Sequence, residues 1–186
     1  MKKSTIKNSF CGLLIALTAF LVSGFKTPAR ERIDQTKTTR TVAENEDFEK
    51  LRKRIVDDLL EPAVDGNKIT KIIATIKPDG SWPGINYKDT TKTGFEHRIH
   101  LENMLDLARA YRKQGSQFSN NADVKKTLWS ALDFWIAHDF ICENWWWNEM
   151  GTPNLMINTL LLMDADLTEK QKTEGARIAG RASLKG

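Results

Sequence analysis

Residues 142–153 read Cys142-Glu-Asn-Trp-Trp-Trp-Asn-Glu-Met-Gly-Thr-Pro153. Trp145, Trp146 and Trp147 are half of the six tryptophans in the chain. A helix buries one stripe of side chains and a strand buries one face. Neither geometry hides three adjacent indoles on one side, so at least one is expected to face a groove or solvent. Glu143, Asn144, Asn148 and Glu149 flank them. Flat apolar walls among amides and carboxylates suit a polar ligand with C–H faces, such as a sugar ring. The competing reading is a tryptophan-rich core corner at a helix–helix turn, because tryptophan is highly buried on average. Thr152-Pro153 predicts a cap and a first-turn proline for the helix that follows. Leu155 to Met163 is nearly all apolar, so that helix should be buried on most sides.

Upstream, Val124, Leu128, Leu132 and Trp135 form a helical stripe that ends near His138. Before it, Thr93-Gly-Phe-Glu96 reads as a capping box. It heads a helix with the stripe Leu101, Met104 or Leu105, Ala108 and Tyr111, ended by Gly115. Pro78 to Lys92 breaks the pattern: Asp79-Gly-Ser-Trp-Pro-Gly84 predicts an irregular loop with Trp82 exposed. A short helix spans Asn67 to Ile76. The first helix begins near Glu44, carries Phe48, Leu51, Ile55 and Leu59 at helical spacing, and stops at Pro62 and Gly66. Downstream, Thr168 and Gln171 cap a sixth helix that ends around Ala179-Gly180. With no strand-period run, the fold class is all-α: antiparallel helical hairpins with alternating short and long connections. If the helices alternate direction, the long connections 78–92 and 139–151 emerge at one end. That places Trp82 beside Trp145–Trp147 around one cleft.

The chain has 186 residues, 40% of them hydrophobic, which fits one domain with a sizeable core. Met1-Lys2-Lys3, Lys7 and the apolar run Phe10–Phe25 predict a secretory signal over residues 1–24 and a secreted or periplasmic protein. The alternative is a membrane anchor, but the run is about 16 residues, short for a spanning helix. Lys2, Lys3 and Lys7 leave with the signal, taking the formal charge from +4 to about +1. That argues against a nucleic-acid partner, which needs a concentrated basic face. Residues 25–43 are polar and are expected to form a disordered linker. Only Cys142 remains after cleavage, so no internal disulfide forms, and the thiol reads as a small buried hydrophobe.

His97 and His100 share a helix face, but a metal needs a third ligand and none is nominated nearby. They read as polar residues at a groove edge. Asp79, Glu143 and Glu149 are the carboxylates available for paired acid–base work, though no spacing singles out a pair. No phosphate loop, nucleophile elbow or zinc signature occurs, and no metal or cofactor is expected.

Three segments together carry a family resemblance: Asp79–Tyr87, Thr93–Leu101 and Glu143–Pro153. They resemble the N-terminal helical domain of polysaccharide lyase family 8, which contains chondroitin, hyaluronate and xanthan lyases. The likeness spans roughly residues 44–185. It implies part of an incomplete (α/α) toroid, from an enzyme that cleaves acidic, uronate-containing polysaccharides by β-elimination. Trp145 and Trp146 match the family's aromatic patch that positions the sugar chain. The substrate-binding candidates are therefore Asn144, Trp145, Trp146, Trp147 and Trp82. The family's catalytic Asn, His, Tyr and Arg lie downstream of this motif and are not matched here; His97, His100 and Tyr111 do not take their roles. The resemblance thus implies an N-terminal toroid fragment, residues 44–186, that binds chondroitin, hyaluronan or a similar polymer without its own catalytic centre or the downstream lyase domains. Two alternatives are a stand-alone carbohydrate-binding module, and a helical-toroid glycoside hydrolase using Asp79 or Glu143 as acid.

Overall fold

The computed structural model describes residues 35–182. The expected signal peptide and linker residues 25–34 lie outside the described residues. Six α-helices make up the fold, and no strand occurs among the described residues: α1 Gln35–Leu60, α2 Gly66–Thr75, α3 Arg98–Arg112, α4 Ala122–His138, α5 Thr152–Met163 and α6 Glu169–Ala179. None of them is long and apolar enough to cross a membrane.

The hairpin α3–α4 forms the centre. α3 packs on both α4 and α5, and α5 packs on α6. Leu101, Met104, Leu107, Ala108 and Tyr111 of α3 are buried, as are Val124, Leu128, Leu132 and Trp135 of α4. Both predicted stripes therefore face the core. The C-terminal end of α3 also pins its neighbours. Arg109 Nε donates to the Leu59 carbonyl at 2.8 Å, and Arg112 Nε donates to the Leu162 carbonyl at 2.7 Å. Those carbonyls lie in the last turns of α1 and α5, where no intrahelical partner remains, so guanidinium groups satisfy them. At α6 the capping box forms as expected. Thr168 Oγ1 accepts from the Gln171 N–H at 3.2 Å, and Gln171 Oε1 accepts from the Thr168 N–H at 3.1 Å.

Three expectations are corrected. First, the described part of α1 begins at Gln35, so residues 35–43, expected to be disordered, have a helical backbone. Neither Gly nor Pro occurs among residues 35–60, so nothing within the described α1 interrupts the helix. Second, the row Phe48, Leu51 and Ile55 faces outward. α1 meets the body through the adjacent side, with Val56, Leu59 and Leu60. Third, Thr93 and Glu96 form no capping box. α3 begins at Arg98 with no side-chain cap, and the Glu96 carboxylate accepts from the Asn86 N–H at 2.8 Å instead.

Candidate functional site

The long loop between α2 and α3 is folded by its own carboxylates. Asp79 accepts from the N–H and hydroxyl of Ser81 at 2.9 and 2.7 Å, and these bonds hold its carboxyl below the usual range. Asp89 accepts from the hydroxyl and N–H of Thr91 and from the Phe95 N–H, which lowers its pKa in the same way. Gly80 has a φ of +90°, and its α-carbon lies against the Ser130 carbonyl of α4. This close approach turns Trp82 inward. Trp82 is 3% exposed, and its Nε1–H donates to the Ile72 carbonyl at 2.9 Å. Ile72 is in the last turn of α2, so the indole satisfies an otherwise orphaned acceptor. Trp82 is therefore a core residue, not an exposed member of a cleft.

His97 and His100 are also buried, where the sequence suggested a groove edge. His100 Nε2 lies 3.0 Å from the Ala131 carbonyl, so that nitrogen carries the proton. Its Nδ1 then accepts from the Tyr87 hydroxyl at 2.9 Å, and that hydroxyl accepts from the Trp82 N–H at 3.1 Å. Burial pushes the His100 imidazole down to about 4 and the Tyr87 phenol up to about 12. Both groups are neutral across the physiological range. His97 Nε2 donates to the Tyr87 carbonyl at 2.9 Å, and its ring lies between Phe95 and Phe140, with ring centroids 4.7 Å away on each side. The two histidines are the pegs of an aromatic core, and no cluster of three metal-ligating residues forms among the described residues.

The tryptophan segment sits on this core. Asn144 Oδ1 accepts from the Trp146 N–H at 3.1 Å and starts a helical turn at Trp145. Residues Trp147–Gly151 then form a π-turn, with the Thr152 N–H bonded back to the Trp147 carbonyl, and the chain runs on into α5. Thr152-Pro153 was expected to open a helix; it stands inside one. A proline there removes an i→i−4 bond and crowds the carbonyl four residues back, and the wider turn relieves that crowding. Trp147 points inward, 5.3 Å from the Phe95 ring. A Cβ at Gly151 would sit 2.4 Å from Trp147 Cε3 and 2.8 Å from Trp146 Cζ3, so both indoles lie directly on the glycine backbone.

Trp145 and Trp146 point outward, 61% and 46% exposed. Two bonds tie this surface to the preceding loop: Glu143 N–H to the Thr90 carbonyl at 2.8 Å, and Asn144 Nδ2 to the Lys92 carbonyl at 3.0 Å. The two long connections do come together at one end. What they present is an open face with two indoles, and Trp82 is absent from it.

The family model for polysaccharide lyase family 8, N terminal alpha-helical domain, matches residues 36–180. The chain belongs to that family. Chondroitinase-AC of Pedobacter heparinus is 32% identical over 116 residues, which is 62% of this chain and 17% of that protein. A solved chondroitinase AC lyase, studied in enzyme–oligosaccharide complexes, superposes with a TM-score of 0.66 at 28% identity, over 71% of this chain and 20% of that one. A Paenibacillus xanthan lyase shares the fold, with a TM-score of 0.53 at 20% identity, over 72% of this chain and 15% of its own. This family 8 domain thus spans about a fifth or less of the length of these relatives.

In this lyase domain the polar groups nearest the indoles are unequal. Asn144 and Asn148 spend their amides on positioning: Asn148 Nδ2 donates to the Cys142 carbonyl at 2.7 Å, and its Oδ1 accepts from the Cys142 N–H at 3.1 Å. Glu143, Glu149 and Lys92 are exposed. Cys142 is buried, as expected. Sequence reasoning missed Phe95, on which Trp147 packs, and Tyr87 and Phe140, which pack around His97 in the core. Phe95 is fully buried at a φ of 66°, a left-handed conformation with no sequence signature for a phenylalanine. Gly151 was legible in principle, standing one helical turn after Trp147.

Proposed function

We propose that this domain binds the sugar chain of an acidic, uronate-containing polysaccharide, of the chondroitin or hyaluronan class, for an exported lyase that acts by β-elimination. The observation that carries it is the outward pair Trp145–Trp146 on a rigid base. Trp147, Gly151 and Asn144 fix the backbone beneath the pair, so little ordering entropy is lost when a sugar stacks there. The likeness to chondroitinase AC supports the substrate class.

The part assigned to this chain is binding. Elimination needs a base within hydrogen-bond reach of the proton it removes, and donors aimed at the carboxylate that gathers charge. Among the described residues, His97 and His100 are buried, and the Tyr87 hydroxyl is taken up by Trp82 and His100. Hydrolysis with Asp79 as acid is disfavoured, because a general acid needs a raised pKa and Asp79 is lowered.

Trp145→Ala and Trp146→Ala are each expected to weaken binding of a chondroitin oligosaccharide by about 10- to 30-fold, as for a tryptophan at the centre of a contact. Both side chains are exposed, so the unfolding midpoint should stay put. Titration calorimetry reads the first and thermal unfolding the second. Unchanged affinity in both variants would remove the saccharide assignment. The same preparation, incubated with chondroitin or hyaluronan, is expected to give no rise in unsaturated-uronate absorbance. A rise would place a catalytic centre within this chain.

A further inference from the structure

The turn ahead of α3 is built on one carboxylate. Asp89 Oδ1 accepts from the Thr91 N–H at 3.0 Å and from the Thr91 hydroxyl at 2.7 Å, and Oδ2 accepts from the Phe95 N–H at 3.1 Å. The Thr91 oxygen accepts in turn from the Gly94 N–H at 3.2 Å. Both carboxylate oxygens are engaged, and bonds to an ionised acceptor are stronger than neutral ones. A side-chain amide is no substitute, because its nitrogen would meet one of these donors. The glycine at 94 points to the same carboxylate. A Cβ there would lie 1.7 Å from Asp89 Oδ2 and 2.7 Å from Thr91 Oγ1. Gly94 is not one of the glycines with a positive φ, so its small size serves the carboxylate and not backbone freedom.

The anchored span reaches the tryptophan segment by two routes. Its Thr90 and Lys92 carbonyls accept from the Glu143 N–H at 2.8 Å and from Asn144 Nδ2 at 3.0 Å, and Asn144 Oδ1 accepts from the Trp146 N–H at 3.1 Å. The second route is aromatic. The bond from the Phe95 N–H holds a residue at a φ of 66°, and its ring centroid lies 5.3 Å from that of Trp147. Trp147 in turn meets Trp146 edge to face, with centroids 4.9 Å apart. Asp79 is the contrast. It shapes its own turn through Ser81 in the same way, but that turn leads to the buried Trp82.

We propose that Asp89 is a positioning residue for the indole pair: its carboxylate, spent entirely on these bonds, sets where Trp145 and Trp146 stand. Its effect on affinity rests on the saccharide reading above. Asp89→Asn and Thr91→Val should each weaken binding of a chondroitin oligosaccharide about tenfold, the loss of one charge-assisted bond. Gly94→Ala, which displaces the carboxylate, should do the same. Thr91→Ser keeps the hydroxyl and should bind like the unaltered chain. Near-UV circular dichroism, which reads the Trp146–Trp147 pairing, should fall in the three weakened variants. The far-UV helical signal should hold, since residues 89–94 lie outside every helix. A carboxylate serving only its own turn would lower the unfolding midpoint and leave affinity and the near-UV signal at their unaltered values. That result would overturn the proposal, as would Thr91→Ser behaving like Thr91→Val. If the unaltered chain binds no sugar but the near-UV loss still appears, the saccharide reading falls and the positioning role stands.

Discussion

Gly80→Ala is expected to cost this domain about 3–5 kcal/mol, a large part of the stability of a small domain. Two effects add. A φ of +90° disfavours any Cβ, worth about 1 kcal/mol. The larger effect is contact: the added carbon would lie 2.2 Å from the Ser130 carbonyl oxygen, 2.8 Å from its carbon and 2.9 Å from Phe134 Cβ. Backbone inside α4 cannot step aside, so the loop must lift. Lifting it draws Trp82 away from the Ile72 carbonyl and breaks the chain of bonds from Trp82 through Tyr87 to His100. Gly84→Ala is the control, since Gly84 has a φ of +81° and nothing within 4 Å of the added carbon. It should show the strain alone. Urea unfolding followed by tryptophan fluorescence measures both, and equal losses would mean that the loop is not seated on α4.

Acid is expected to destabilise the fold by about 3 kcal/mol between pH 7 and pH 4, through His100. Burial holds this imidazole neutral in the folded protein, with its pKa down at about 4 against 6.5 when exposed. Below 6.5 the unfolded chain takes up a proton that the folded chain refuses. The contribution is therefore whole above about pH 6.5 and drains away as pH falls toward 4, at most about 1.4 kcal/mol per pH unit. The lowered carboxylates Asp79, Asp89 and Asp166 act in the same direction but at lower pH, below their ordinary range. The two contributions are separable by window. His100→Gln should lower stability at pH 7 and flatten the curve between 6.5 and 4. A curve unchanged by that variant would locate the acid sensitivity elsewhere.

The stripes of α3 and α4 and the cap of α6 were legible because each is a local pattern whose partner lies within the same helix or hairpin. The π-turn was not legible: Thr152-Pro153 is as good a helix start as sequence offers, and only the helical path of Trp145–Gly151 before it changes the reading. Trp82 misled for a similar reason. Its Gly and Pro neighbours mark a loop correctly, but its burial depends on Ile72 in the preceding helix and on Ser130, far along the chain in α4. The row on α1 shows the limit from the other side. Periodicity reveals that Phe48, Leu51 and Ile55 share a face, and says nothing about what that face meets. For the site, the rule that three adjacent indoles cannot share one side was enough to predict an exposed member. Which of the three would turn inward was settled by Phe95 and Gly151.

The widened turn at Trp147–Gly151 has a mechanical meaning beyond accommodating a proline. One surplus residue rotates everything ahead of it by about 100° relative to the cylinder behind. The azimuth of Trp145 and Trp146 is thereby uncoupled from the face that α5 must bury to hold the bundle together. Such a slip joint lets ligand-facing side chains be re-aimed while the load-carrying helix keeps its seating.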